Sequence, residues 1–212
     1  MRAILENMKP ENEPYALSSL AERQRRIAML NQSHIAPLQK YLANIKAEHS
    51  EKDLPCFDPC DGGVLAKALF LLEAPGPKAV GSTFISRNNP DPTARNMCGL
   101  LQEAGISRGD TLLWNIVPWY VGDGNRIRAV NSDDIRQSFP YLKELLLLLP
   151  NLKVIALVGK KAQSAKSQIR QLTSLPIIDT HHPSARVFNV WPHKKGEMRE
   201  QLLQIAAITN RN

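Results

Sequence analysis

Short, continuous apolar runs alternate with stretches of helical periodicity through most of the chain. Ala68 to Leu72 (ALFLL), Thr111 to Trp114 (TLLW), Lys153 to Val158 (KVIALV) and Leu175 to Ile178 (LPII) read as strands buried on both faces. Thr93 to Ala104, Ser132 to Leu149, Lys160 to Leu172 and Glu197 to Ile208 read as the helices between and after them. This alternation predicts a three-layer α/β/α sandwich with a central four-stranded parallel sheet. Upstream, Ser19-Leu20-Ala21-Glu22 has capping-box spacing and opens a helix to about Leu30, and a second helix runs from about Ile35 to Glu48. The chain therefore divides into an N-terminal helical extension over residues 1–50 and an α/β/α domain over 51–212. Leu54 to Gly63, dense in Pro, Asp and Gly, reads as a loop.

Composition narrows the class of partner. The 212 residues, 43% of them apolar, suffice for one full core, and 27 Lys and Arg against 20 Asp and Glu leave a formal charge of +7. Such a surplus suits a polyanion such as nucleic acid, although a basic protein without such a partner has the same balance. Arg23, Arg25 and Arg26 sit close together on the first helix, either as a phosphate-facing patch or as its solvated outer face. Three cysteines, Cys56, Cys60 and Cys98, make no disulfide framework, and no leader pattern or membrane-length apolar run is present. A soluble, cytoplasmic monomer is expected, nucleoid-associated if the source is bacterial. Cys56, Cys60 and the paired histidines lack the two matched ligand pairs of a zinc site, so no metal is expected.

The chemistry collects at the carboxyl ends of the strands. Glu73 to Pro77, Asn115 to Trp119, Gly159 to Lys161 and His181 to Ser184 each follow an apolar run, and in an open parallel sheet that edge is where ligands bind. Phe84, on the loop after the first strand, adds an aromatic ring suited to stacking on a planar ligand, or else to the core. Asn115 either presents its amide to a ligand or caps a turn. Val158-Gly159-Lys160-Lys161 is no Walker motif, because Lys161 stands where Ser or Thr is required, and no GxGxxG follows any strand.

LEAPG at Leu72 to Gly76, TFISR around Phe84, LLWNIVPW around Asn115 and HHPSAR from His181, in that order, resemble the motifs of the uracil-DNA glycosylase superfamily. The nearest branch is the one whose first motif is GEAPG, and the resemblance spans about residues 64 to 206. It implies a monofunctional enzyme that flips a nucleotide out of DNA and hydrolyses the N-glycosidic bond of uracil. Phe84 matches the position that stacks on the base, and Asn115 the amide that reads its edge, where Ala74 and Gly76 also line the uracil pocket. His182 matches the histidine against the base, assigned to stabilising the O2 oxyanion. Glu73 is assigned to the attacking water and the cationic sugar, with the anchoring of loop amides as its alternative role. Arg186 falls near the wedge that fills the gap left by the flipped base, and Lys160, Lys161, His181 and Ser184 are candidates for contacts to DNA.

Departures from the pattern qualify this reading. Leu72 replaces the usual first glycine, and Ala74 and Ala79 stand where relatives carry acids. Gly76 stands where the most selective branch has a tyrosine against thymine's methyl. The four-cysteine iron–sulfur cluster of the GEAPG branch is not expected, because Trp119 and the Ser138-Phe139 region occupy its two later ligand positions and Cys56 and Cys60 are spaced by three residues. No cofactor is expected. Two other functions stay open: a DNA-binding protein for damaged or abasic sites with little turnover, and a glycosylase for another deaminated base such as hypoxanthine.

Overall fold

The computed structural model describes residues 12–122 and 128–211. Its strands are β1 (Cys56–Phe57), β2 (Ala68–Leu72), β3 (Phe84–Ile85), β4 (Thr111–Asn115), β5 (Val154–Val158) and β6 (Ile177–Thr180). Its helices are α1 (Leu20–Ala28), α2 (Ala36–Glu48), α3 (Pro77–Ser82), α4 (Pro92–Glu103), α5 (Ser132–Leu147), α6 (Lys160–Ser164), α7 (Lys166–Leu172), α8 (Ala185–Val190) and α9 (His193–Thr209).

The main sheet is parallel, in the order β4-β2-β5-β6, with Leu72 opposite Asn115 and Val158 opposite Thr180. Every residue of β4 and β5 is buried, so helices cover both faces, as the unbroken apolar runs require. From the central β2 the chain moves out to β4 on one side, then returns past it to β5 and β6 on the other. The loops after β2 and β5 therefore leave in opposite directions, which opens a crevice at the carboxyl edge.

The structure adds elements that the apolar pattern does not show. The loop from Leu54 to Gly63 contains β1, which pairs in parallel with β3, Cys56 opposite Phe84 and Phe57 opposite Ile85. The helix expected over Lys160 to Leu172 breaks at Ala165 into α6 and α7. A short helix, α8, follows the paired histidines, with Ser184 as its cap.

The N-terminal helices pack into the same core as the sheet. Ile35, Leu38, Tyr41, Leu42 and Ile45 are buried with it, and the Tyr41 hydroxyl donates to the Tyr141 carbonyl at 3.0 Å. Neither reading of the first helix's arginines holds for Arg26, which is fully buried. It donates to Glu22 at 2.7 Å, Asp58 at 2.5 Å and Asn88 at 3.0 Å, while Arg25 forks onto Glu22 at 2.7 and 2.8 Å. Arg108 spans Asp58 at 2.7 Å and Asp61 at 2.9 Å, and Arg87 lies 3.4 Å from Asp61. Burial works to raise the Asp58 carboxyl, yet Arg108 and Arg26 together hold it below the usual carboxylate value. An arginine can be buried only when carboxylates meet its charge, and this cluster meets it beneath the loop that follows β3.

Candidate active site

Three of the four parallel strands, β2, β4 and β6, lead into one cleft of about 580 Å³. Glu73 to Lys78 enter it after β2, Asn115 at the end of β4, and His182 after β6. Apolar side chains including Leu72, Ile85, Met97 and Leu113 form its walls. An apolar slot with a few convergent polar groups suits a flat heterocycle.

Asn115 is 5% exposed, and its Nδ2 has no hydrogen-bond partner among the described residues. A buried amide donor left unmet costs about 1–3 kcal/mol. Its position on the cleft wall gives that donor to whatever occupies the cleft, so the turn-capping alternative does not account for it.

His182 reaches the cleft across Gly159, whose φ of +86° admits only glycine comfortably. A Cβ placed on Gly159 would stand 3.0 Å from the His182 Cβ and 3.3 Å from its Cδ2. The imidazole thus rests against bare backbone. Burial pushes His182 below the ordinary histidine value of 6.5, against the opposing pull of the Glu73 and Asp91 carboxylates. That direction favours the uncharged ring.

Glu73 faces two ways. It lines the cleft, and its Oε1 accepts the Val130 N–H at 3.1 Å. Lys161 donates to the Val130 carbonyl at 2.6 Å, so both backbone polar groups of Val130 are held. A capping box between Asn131 and Asp134, and a fork from Arg128 to Asp134 at 2.5 and 2.6 Å, fix the same segment and leave Arg128 and Ala129 on the cleft wall.

Ala74 and Gly76 line the cleft as expected, and a Cβ on Gly76 would meet nothing within 4 Å. Phe84 requires correction. Its ring is fully buried and does not line the cleft, whereas its neighbour Ile85 does. Successive residues of a strand face opposite ways, and the pairing of β3 with β1 assigns the cleft side to Ile85.

The residues expected to contact DNA are variously engaged. His181 pairs with Glu197 at 2.5 Å, Ser184 caps α8 by accepting the Val187 N–H at 3.3 Å, and Lys161 is held by Val130. Lys160 and Arg186 are exposed.

Asp91 was not apparent from the apolar pattern. It lines the cleft, its charge acts on His182, and its Oδ1 caps α4 by accepting the Ala94 N–H at 2.9 Å. The Asp91-Pro92 pair is a recognisable helix start, but only the fold turns that start toward the histidine. Asn96, one turn further along α4, donates to the Pro183 carbonyl at 2.8 Å and so tethers the histidine loop.

The positions of the iron–sulfur ligands do not fit a cluster. Trp119 is buried against His49 with ring centroids 4.9 Å apart, and the Ser138 hydroxyl donates to the Ile116 carbonyl at 2.8 Å. Burial keeps the Cys56, Cys60 and Cys98 thiols above their ordinary value, Cys60 at about 11. Among the described residues no group of three or more His, Cys, Asp or Glu is placed to hold a metal ion, and no helix is long and apolar enough to cross a membrane.

A parallel sheet with a cleft at its carboxyl edge, lined by Asn115 and His182, defines a class of α/β proteins that bind ligands at that edge. Within that class the chain belongs to the uracil DNA glycosylase superfamily, whose family model matches residues 59–206. This places it among the DNA glycosylases, the hydrolases of DNA repair that act on DNA. The fold is similar to the crystal structure of SMUG2 from Pedobacter heparinus, at 13% identity and a TM-score of 0.54 over 69% of this chain and 77% of that one. It is also similar to the solution structure of a candidate uracil DNA glycosylase from Methanosarcina acetivorans, at 14% identity and a TM-score of 0.48 over 68% of this chain and 94% of that one. No curated protein sequence matches the chain.

Proposed function

We propose that the protein hydrolyses the N-glycosidic bond of uracil in DNA, with the target nucleotide flipped into the cleft below Asn115 and His182. The observation that carries this reading is the buried Asn115 amide, whose Nδ2 has no hydrogen-bond partner among the described residues. That donor complements a carbonyl on the base edge, such as the O4 of uracil, and opposes the amino group of cytosine.

In the reaction water adds to C1′ as the bond to the base breaks, and the bonding pair departs with the base. Negative charge then grows on the base and positive charge on the sugar. His182, whose burial favours the uncharged imidazole, donates a ring N–H to the O2 oxyanion. Glu73 and Asp91 are carboxylates on the same cleft and stabilise the cationic sugar. With one oxygen of Glu73 occupied by Val130, its other oxygen is assigned to orienting water. The open space beside Gly76 supports a substrate range that includes bases larger than uracil.

Single-turnover excision from a uracil-containing oligonucleotide tests the reading. His182→Ala and Asn115→Ala each lose 100-fold or more in rate, on the order expected for removal of a transition-state donor, while melting as the parental protein does. Parental rates in both variants would overturn the assignment. Tight binding of uracil or abasic DNA with no release of base would favour a damage-binding protein instead.

A further inference from the structure

We propose that Trp191 is a stacking platform for an unpaired base of the DNA strand flanking the excised nucleotide. This inference rests on the glycosylase reading of the cleft. The chain has three tryptophans, of which Trp114 and Trp119 are 1% and 2% exposed, whereas Trp191 is 44% exposed beside Val190 at 56%. No residue from Ala185 to Glu197 is buried except partly, so the core does not need this ring. Trp191 and Val190 side by side leave a contiguous apolar patch open to water, and a patch rimmed by polar side chains marks a surface that meets a partner.

Charge says what that partner is. The Lys194 ammonium sits over the Trp191 ring, 4.0 Å from the centroid, and Lys195, next in sequence, and Arg186, in the helix that precedes Trp191, are exposed. An aromatic face among cations, with both parts free of internal carboxylate partners in the described contacts of Trp191, Lys194 and Lys195, is the arrangement that holds single strands: the ring takes a base and the cations take phosphates.

Position says which base. Ser184, two residues after His182, caps α8, and the six residues of α8 span about 9 Å before Trp191. At about 3.4 Å per base step in a stacked strand, that length corresponds to roughly three nucleotides from the nucleotide in the cleft. The contacts of α8 with α4, which carries Asp91 as its cap, keep this segment beside the cleft. Stacking of this kind is tolerant of sequence and favours single-stranded or locally melted DNA over an intact duplex.

Trp114 and Trp119 are buried but also emit, so the fluorescence change is taken as the difference between the parental chain and Trp191→Phe, which isolates Trp191. The full chain is titrated with a uracil-free ten-residue oligothymidylate, with a base-free abasic strand of equal length, and with vesicles of phosphatidylglycerol, while excision is followed on a uracil oligonucleotide. The proposal expects quenching by oligothymidylate and none by the base-free strand. Trp191→Ala should bind oligothymidylate roughly tenfold more weakly, the worth of one stacked base, and Trp191→Phe should retain most of the affinity. Excision from a trinucleotide too short to reach the platform should be unchanged in both variants.

Equal affinity of Trp191→Ala and the parental chain, with excision intact, would overturn the platform and leave the glycosylase reading standing. Equal quenching by the base-free strand, or a blue shift on vesicles without quenching by DNA, would assign the ring to phosphate or lipid and also overturn it. Failure of the parental chain to excise any base, with Trp191 still quenched by oligothymidylate, would overturn the cleft reading while the base-stacking surface survives.

Discussion

Replacing Gly159 by alanine tests the geometry of the cleft through one added carbon. Gly159 has φ +86° and ψ 164°, a region open essentially to glycine alone, so the backbone strain is about 1–3 kcal/mol. For a chain of this size that lowers the melting temperature by roughly 2 to 12 °C. The new Cβ would also stand 3.0 Å from the His182 Cβ, so the imidazole must give by a few tenths of an ångström or the loop must move. A misplacement approaching 1 Å costs up to about 100-fold, and a partial shift should cost roughly tenfold in excision. The control is Gly76→Ala in the same cleft, where φ is −87° and the added Cβ meets nothing within 4 Å. Thermal melts and single-turnover excision well below the melting temperature separate the two effects. If Gly159→Ala melts and cuts like the parental protein, or if Gly76→Ala is equally damaged, His182 is not held against Gly159 as described.

Three further outcomes follow from the described contacts. Arg26→Met leaves Asp58 with one arginine fewer inside the protein and should cost about 3–5 kcal/mol in urea unfolding, far more than loss of an exposed helix charge. Asp91→Asn keeps a good N-cap and should melt normally while excision falls at least tenfold, whereas Asp91→Ala should lose both rate and about 0.5–2 kcal/mol of stability; full excision by Asp91→Asn would limit Asp91 to capping α4. Because the folded value of His182 lies below 6.5, the fold binds its proton less readily than the unfolded chain does. Its stability contribution is therefore complete above that ordinary value and is lost as pH falls below it. NMR titration of the His182 ring should give a midpoint under 6.5, and a midpoint above it would contradict the neutral oxyanion donor.

Much of the sheet was legible because four of its strands are unbroken apolar runs, and a strand buried on both faces has no other way to look. Asn115 was legible for the same reason, being the first polar residue after such a run, and the paired histidines follow the last run with only Asp179 and Thr180 between. What was not legible depends on contacts remote in sequence. Phe84 faces away from the cleft because β3 pairs with β1, and each of these strands has two residues and no pattern of its own. Arg26 looks like a surface residue of an amphipathic helix, and only the placing of Asp58, 32 positions later, turns it inward. Asp91 reads as a cap in any helix beginning Asp-Pro, and the orientation of α4 alone brings its charge to His182. The grip on Val130 joins Glu73 to Lys161 through a backbone unit that carries no sequence signal at all.

The central claim is that this cleft releases a deaminated base, and the most direct test is to identify what it releases. The purified chain is incubated with a panel of oligonucleotides carrying a single uracil, hypoxanthine, xanthine or thymine mispair, or an intact abasic site, and free base is identified by mass spectrometry. The account predicts free uracil from the first strand, an abasic product of matching amount, and release at least 100-fold slower from Asn115→Ala on the same strand. Release of another base with uracil strands untouched would contradict the uracil assignment, and release of no base from any strand would contradict the account as a whole.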